Sequence, residues 1–263
     1  MGDYARGWRE YECRYTAAFE RPRLARPEFA FPMWRGEPLS GKRILLVGEQ
    51  GYGDQIQFIR FAQVLAARGA AVDVAADARL RRRFTGAPGV RQVVEGVSGA
   101  VGYDFWSLLL SVPLHLGTTV EPIPAPVPYL RPLPEDVEKW AQRLRVLPQD
   151  RLKVGLVWTA GNTARESQHG RTMPFEALAP LAQLALAGGV NFIGLQFGER
   201  APEGGPAGFP ALELGAEIGD FADNAALLAN LDLLVTVDTA VGHLAGALGL
   251  PVWTMLPATP DWR

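Results

Sequence analysis

The 263-residue chain, 48% hydrophobic with a formal net charge of −2, holds enough apolar material for one large core or two medium ones, and it offers no basic field for nucleic acid or a membrane surface. Its single cysteine, Cys13, excludes an intrachain disulfide and cannot by itself build a cysteine-based metal site. No apolar stretch reaches bilayer-spanning length and the first residues lack an apolar signal core, so a cytoplasmic protein without a membrane span is expected.

Residues 3–15 are predicted to form a short helix with Tyr4, Trp8, Tyr11 and Tyr15 on one face, at steps of four, three and four. The spacing Gly2-x-Tyr4-x-x-Gly7-x-x-x-Tyr11 resembles the second helix of a tetratricopeptide repeat, with Arg14 where such a helix carries a small residue. Half a repeat cannot bury its own face. The segment is therefore either the end of an upstream repeat array or an amphipathic helix packed on the main domain. Pro22, Pro27, Pro32 and Pro38, with Phe29, Phe31 and Trp34 among them, predict an extended arm, so residues 1–40 are read as repeat-like helix and arm.

From Lys42 the pattern alternates strand and helix. Arg43 to Val47, Ala71 to Ala75, Val90 to Val94 and Tyr103 to Trp106 read as strands. Ile56 to Ala67 and Ala78 to Phe84 read as helices, the latter carrying the basic run Arg79 to Arg83 on a solvated side. Prolines at 122, 124, 126, 128, 132 and 134 stiffen the backbone and place an inter-domain connection there. A helix over Glu135 to Leu147 opens the second series. Its strands are Lys153 to Trp158, Asn191 to Gln196, Leu212 to Leu214, Leu233 to Val237 and Pro251 to Leu256. Its helices are Pro174 to Ala187, Asp223 to Leu228 and one beginning after Thr239, with a loose Gly/Pro loop over Gly204 to Pro210. Short connections predict an α/β chain with parallel sheets. The expected architecture is two Rossmann-like domains, 41–134 and 135–263, facing a cleft at the carboxyl ends of their strands.

The strand Leu233 to Val237 ends at Asp238-Thr239 and feeds a helix with Leu244, Ala247 and Leu248 at helical spacing, closed by Gly249 and Pro251. Thr239 is a good N-cap, Ala240 opens the helix, and His243 lies one turn further in. Free first-turn N–H groups, the positive end of the helix dipole and an imidazole donor then converge where a ligand phosphate can sit. A cap and a half-buried histidine without a ligand fit the same residues equally well.

The loop Gly48-Glu-Gln-Gly51-Tyr-Gly53-Asp54 is glycine-rich, but its spacing departs from the dinucleotide fingerprint G-x-G-x-x-G. Asp54 at the helix start competes with a phosphate for the dipole, so a nicotinamide site using Asp77 as ribose partner ranks below another use. That use is general base: Asp54, on an acceptor-side loop with Gly51 and Gly53, can take a proton from an acceptor hydroxyl. A plain N-cap is the alternative, and the two roles are compatible.

No Asp-x-Asp triplet occurs and His115, His169 and His243 are far apart, so no metal site for a pyrophosphate is evident. Charge on a departing diphosphate then falls to protein groups. These are the helix beginning at Thr239, His243, and Arg171, which is otherwise a solvated surface arginine. Asn162, in the same loop as Arg171, is placed on the donor side. Gln196, at the end of its strand, is a candidate contact to ribose or base, with an ordinary buried glutamine as the alternative.

Arg43-Ile-Leu-Leu-Val47 with Gly53-Asp54, and the run from Val235 through Asp238-Thr-Ala-Val-Gly-His243 to Pro251, resemble the heptosyltransferase-type glycosyltransferases of the GT-B fold. Over Gly2 to Arg263 the chain is similar to the catalytic part of bacterial tetratricopeptide-repeat glycosyltransferases; Leu108 to Pro113, Val154 to Trp158 and Phe221 to Leu231 fit as well. The resemblance implies Asp54 as the base, Asp238, Thr239 and His243 as the donor-diphosphate segment, and Arg171 near a basic residue of the donor loop. Ala240-Val241 stand where heptosyltransferases usually have Gly-Pro. Relatives usually continue past Pro260-Asp-Trp-Arg263 into a closing helix, so the second domain is expected to be abbreviated. The expected function is an inverting, metal-independent glycosyltransferase without a cofactor. It takes a nucleotide-diphosphate sugar and passes the sugar to a hydroxyl of an acceptor protein or glycan. The alternatives are a non-catalytic nucleotide-sugar-binding or scaffold module of a repeat protein, and an NAD-dependent oxidoreductase.

Overall fold

Short runs of β-branched and aliphatic residues, several of them ended by Gly or Asp, set the strands of this chain. The computed structural model describes residues 2–15, 27–98, 100–121, 123–124, 126–160, 171–197 and 209–258. It divides into two units, Met1–Tyr129 and Leu130–Arg263, each holding one all-parallel sheet.

The first unit contains α1 (Tyr4–Tyr11), β1 (Arg43–Val47), α2 (Tyr52–Phe58), α3 (Phe61–Ala67), β2 (Ala71–Ala76), α4 (Ala78–Phe84), β3 (Val90–Glu95), β4 (Phe105–Leu108) and α5 (Val112–Leu116). Its sheet runs β3-β2-β1-β4. Alternate residues of a strand face opposite sides. Thus Leu45, Val47, Ala75, Trp106 and Leu108 form one apolar cluster with Phe29, Phe31 and Tyr103, while Ile44, Leu46, Val72 and Val74 are buried as well. The segment at 32–34 lies along β4. Met33 bridges Trp106 in parallel, Trp34 N–H donates to Trp106 O at 2.7 Å, and Trp106 N–H donates to Pro32 O at 3.1 Å.

Two helices differ from the periodicity. The helix expected over residues 3–15 is α-helical only to Tyr11 and tightens to a 3₁₀ turn over Glu12–Tyr15. Trp8 fixes it to its own unit: its Nε1–H donates to Thr118 O at 2.8 Å and its ring meets Phe58 edge-on. The helix expected over Ile56 to Ala67 begins earlier, at Tyr52, and breaks at Ile59-Arg60 into α2 and α3. It starts early because Asp54 Oδ2 accepts from Gly51 N–H at 3.0 Å, which satisfies a donor that the helix start leaves open.

The second unit contains α6 (Pro134–Leu144), β5 (Leu152–Val157), a 3₁₀ segment (Phe175–Leu181), α7 (Ala182–Leu186), β6 (Val190–Gly194), β7 (Ala211–Glu213), α8 (Phe221–Leu228), β8 (Leu233–Val237), α9 (Ala240–Leu248) and β9 (Val252–Met255). The order is β7-β6-β5-β8-β9. The single helix expected from Pro174 to Ala187 is divided because Pro180 lies inside it and lacks the N–H that a continuous α-helix needs. Val154, Leu156, Trp158, Phe175, Leu178 and Phe192 form one apolar cluster. Elsewhere in the unit, α6 packs against α8 and α8 against α9, burying Trp140, Phe221, Leu228 and Leu244. Most of the predicted Gly204 to Pro210 loop lies outside the described residues. No helix among the described residues is long and apolar enough to cross a membrane.

Two glycines separate the costs of conformation and of contact. Gly86 and Gly89 both have positive φ, +77° and +81°, but a Cβ at Gly86 meets nothing, whereas one at Gly89 falls 2.4 Å from Gln63 Cα and 2.6 Å from Ala62 C. Gly86→Ala is expected to lose about 1–2 kcal/mol for the left-handed backbone alone. Gly89→Ala, which must also displace the start of α3, is expected to lose about 3 kcal/mol or more. Urea unfolding of the two variants beside the parent measures the difference.

Candidate functional site

An open parallel sheet offers a ligand crevice where the strand order reverses, at the carboxyl ends of the two strands that part there. In the second unit the reversal lies between β5 and β8, and in the first between β1 and β4. The loops that follow these strands hold most of the residues singled out from the sequence.

In the second unit, β8 ends in Val237 and the chain passes through Asp238 and Thr239 into α9. Thr239 takes the N-cap position with extended backbone, φ −141° and ψ 167°, but makes no side-chain cap bond. This corrects the expectation that its hydroxyl serves the first turn. Thr236 Oγ1 donates to Val237 O at 2.8 Å, so the Thr239 hydroxyl donates to Thr236 Oγ1 at 3.1 Å. Thr236, unnoticed in the sequence, holds Thr239 aside. Ala240 opens the helix, and the N–H of His243 reaches Thr239 O at 3.3 Å, placing the imidazole one turn in, half-buried. The junction leaves a positive helix end beside small, partly open residues.

Arg171 meets this junction. Its Nη1 lies 3.8 Å from Asp238 Oδ2, with the two side chains 29% and 17% exposed. Arg171 also lines a groove of about 220 Å³, together with Met173, Pro174, Val237, Met255 and Leu256. A larger hollow of about 350 Å³, lined by Lys139, Trp140, Gln142, Arg143 and Glu217, contains none of the predicted site residues. The charged groups and the strand ends, rather than size, identify the smaller groove as the candidate. Gln196 is buried, and both ends of its amide are engaged: Oε1 accepts from Thr159 N–H at 3.2 Å and Nε2 donates to Thr159 O at 3.4 Å. It ties the chain after β6 to the chain after β5. Asn162 lies outside the described residues.

In the first unit, the glycine loop divides its tasks. Gly51 is the N-cap of α2, and Gly53 and Asp54 are in its first turn. Gln50 adopts φ 59°, the only positive φ of a non-glycine residue among those described. Before it, Glu49 is a buried carboxylate. Its Oε1 accepts from Arg14 Nη2 and Leu110 N–H, both at 3.0 Å, and its Oε2 accepts from Arg14 Nε at 3.0 Å and from the Tyr15 hydroxyl. Burial pulls the Arg14 guanidinium down, but hydrogen bonding and charge from Glu49 outweigh it, so its pKa lies above the ordinary arginine value. Burial first, and the Glu49 carboxylate second, push the Tyr15 phenol up. Sequence reasoning missed this cluster. The available signal was Arg14, a cation within an aromatic stripe. Asp77 accepts from Arg79 N–H at 2.9 Å and caps α4. Among the described residues no group of three or more His, Cys, Asp or Glu is placed to hold a metal ion.

Residues 216–262, from the turn before α8 onward, match the family described as Glycosyltransferase family 9 (heptosyltransferase). Protein FlbA of Caulobacter vibrioides is 29% identical over 293 aligned residues, which take in 100% of this chain and 47% of FlbA. The chain thus spans about half the length of the curated relative it matches. Among solved structures, E. coli ADP-heptose lps heptosyltransferase II superposes with a TM-score of 0.64 at 18% identity, over 84% of this chain and 87% of that one. E. coli heptosyltransferase WaaC with ADP gives 0.55 at 15% identity, over 83% and 88%. The α/β fold with parallel sheets is that of the heptosyltransferases.

Gln196→Leu tests whether the glutamine is structural. It strands the N–H and C=O of Thr159 and is expected to cost about 1–3 kcal/mol in unfolding free energy, measured by denaturant titration. Gln196→Glu keeps one acceptor and is expected to lose less.

Proposed function

We propose that the chain is a glycosyltransferase of the heptosyltransferase kind, GT-B in type. It takes a nucleotide-diphosphate sugar and passes the sugar, with inversion and without a metal, to a hydroxyl of a protein or glycan acceptor. The observation that carries this reading is the β8–α9 junction. The segment matching the family description contains an N-cap threonine turned away from the helix start, with Asp238 beside Arg171, which lines the nearby groove. The names of the two solved relatives make ADP-heptose the first donor to test.

In this reading the donor diphosphate lies against the first turn of α9. Free N–H groups, His243 and Arg171 take up the charge that develops as the anomeric C–O bond breaks. A phosphate near Arg171 competes with Asp238 for the guanidinium, and Asp238 is then released toward sugar hydroxyls. Thr239 and Ala240 shape the approach, and Gln196 holds the floor of the site rather than contacting the nucleotide. Asn162 is a further donor contact in this reading. Asp54 accepts the proton of the acceptor hydroxyl as its oxygen attacks the anomeric carbon from the face opposite the leaving diphosphate. Protein groups supply the electrostatic work, so the reaction needs no cofactor. The short helix α1 is the point at which upstream tetratricopeptide repeats would join, presenting an acceptor. A donor-binding module without turnover is the second reading, favoured by the engagement of Asp54 Oδ2 with Gly51 N–H.

Two substitutions separate these readings. Asp54→Asn is expected to lower kcat by about 10²–10⁴-fold, with donor affinity nearly intact. No turnover in the parent chain selects the binding module instead. His243→Ala is expected to weaken ADP-heptose binding about 10- to 150-fold, the loss of one hydrogen bond to a charged group, read by calorimetry. The product anomer, assigned by NMR, reports inversion, and turnover unchanged by EDTA reports metal independence.

A further inference from the structure

The first unit contains a cluster of charged and hydroxyl groups that the proposed reaction does not use. Arg14, 8% exposed, grips Glu49, 5% exposed, through two parallel N–H···O bonds of 3.0 Å each. The same guanidinium donates to Tyr11 O at 2.9 Å, Glu12 Oε1 at 2.8 Å and Ser111 Oγ at 2.7 Å, and lies over the Tyr11 and Tyr15 rings at 4.5 and 4.7 Å. Every member of this fork comes from three places: the helical segment before residue 16, the second residue after β1, and the turn after β4. Two of these flank the order reversal of the sheet.

The next residues carry the constraint onward. Gln50, held at φ 59°, donates from Nε2 to the Tyr11 hydroxyl at 2.6 Å. A non-glycine residue stays in the left-handed region only where its surroundings hold it there. Gly51 follows, and its N–H is the donor that orients the Asp54 carboxylate. A continuous set of bonds thus runs from Arg14 and Tyr11 through Glu49 and Gln50 to Asp54.

We infer that Arg14, through Glu49, is a positioning residue for Asp54, so that the helical segment at the start of the chain is part of the reaction apparatus. This rests on the reading of Asp54 as base. A cap for α2 alone needs neither a buried arginine nor a left-handed glutamine. A base that must meet a hydroxyl proton within hydrogen-bond distance needs its carboxylate fixed, and misplacement of about 1 Å costs about 10²-fold in rate. Arginine is required over lysine because only a planar fork satisfies both oxygens of Glu49 at once.

The test uses the full chain with Arg14→Lys, Glu49→Gln and Tyr11→Phe, and Arg6→Ala as control, since Arg6 lies in an exposed pair with Glu10 on α1. Hydrogen–deuterium exchange of the amides at 48–54 is expected to quicken about tenfold or more in Arg14→Lys and Glu49→Gln, and less in Tyr11→Phe, with β2 and α4 unchanged. With ADP-heptose, kcat is expected to fall about 10- to 100-fold while the donor KM stays within about twofold. The control changes neither. Unaltered exchange at 48–54 overturns the inference, and so does quickened exchange with unaltered kcat. Absence of turnover in the parent chain is a different result: it removes the function proposed above. Should Glu49→Gln fail to fold, Arg14→Lys, which keeps a buried cation beside Glu49 but loses the fork, still decides.

Discussion

A parallel sheet covered on both faces has no room for polar chemistry except at the ends of its strands. Each unit of this protein obeys that constraint. Within the sheets, Leu45, Val74, Leu156 and Leu234 are sealed in apolar surroundings, and charge is admitted only with full compensation. Asp73 on β2 shows the terms. It is wholly buried, yet it accepts from Arg91 Nε at 2.8 Å, Gln92 Nε2 at 2.9 Å and the Tyr103 hydroxyl at 2.9 Å. A buried carboxylate with fewer donors would be expensive. Glu49 meets the same requirement at the end of β1, and Asp238 meets a looser version beside Arg171, where the longer separation and partial exposure make the pair easier to exchange.

The two regions thus differ in tightness. Around Glu49 every donor has its acceptor, and the result is a rigid mount. Around Asp238 the junction is looser: Thr236 takes the Thr239 hydroxyl, small residues open α9, and the Arg171–Asp238 pair is 3.8 Å apart and partly exposed. Firm support in one place and looser polarity in the other suit the sugar transfer proposed above. The match of residues 216–262 to the family 9 description falls on the open junction.

Much of this was legible in the sequence, and the reasons are local. The strands were readable because aliphatic runs such as Arg43 to Val47 and Leu233 to Val237 end in Gly48 and Asp238, punctuation that acts within one or two residues. The helix after Asp77 was readable because a capping aspartate and a following apolar stripe both lie within two turns. Pro180 was visible too, but periodicity ran through it, and the lost N–H turned half of that helix into 3₁₀. The Arg14–Glu49 fork was not legible, since its members are 35 residues apart and no spacing rule joins them. The Gln196–Thr159 pair, 37 residues apart, was hidden for the same reason. Long-range polar pairing is written in the fold, and only its ingredients are written in the chain.

The contact at Met33 has a wider meaning for how this sheet ends. An outermost strand is normally a template on which foreign backbone can polymerise. Here β4 already holds a single rung, with Pro32 lacking the N–H for the next rung on one side and Gly36, at φ +106°, swinging the chain off on the other. The rung is thus a stopper: it occupies the border of the sheet and cannot grow into a strand that would itself invite a neighbour.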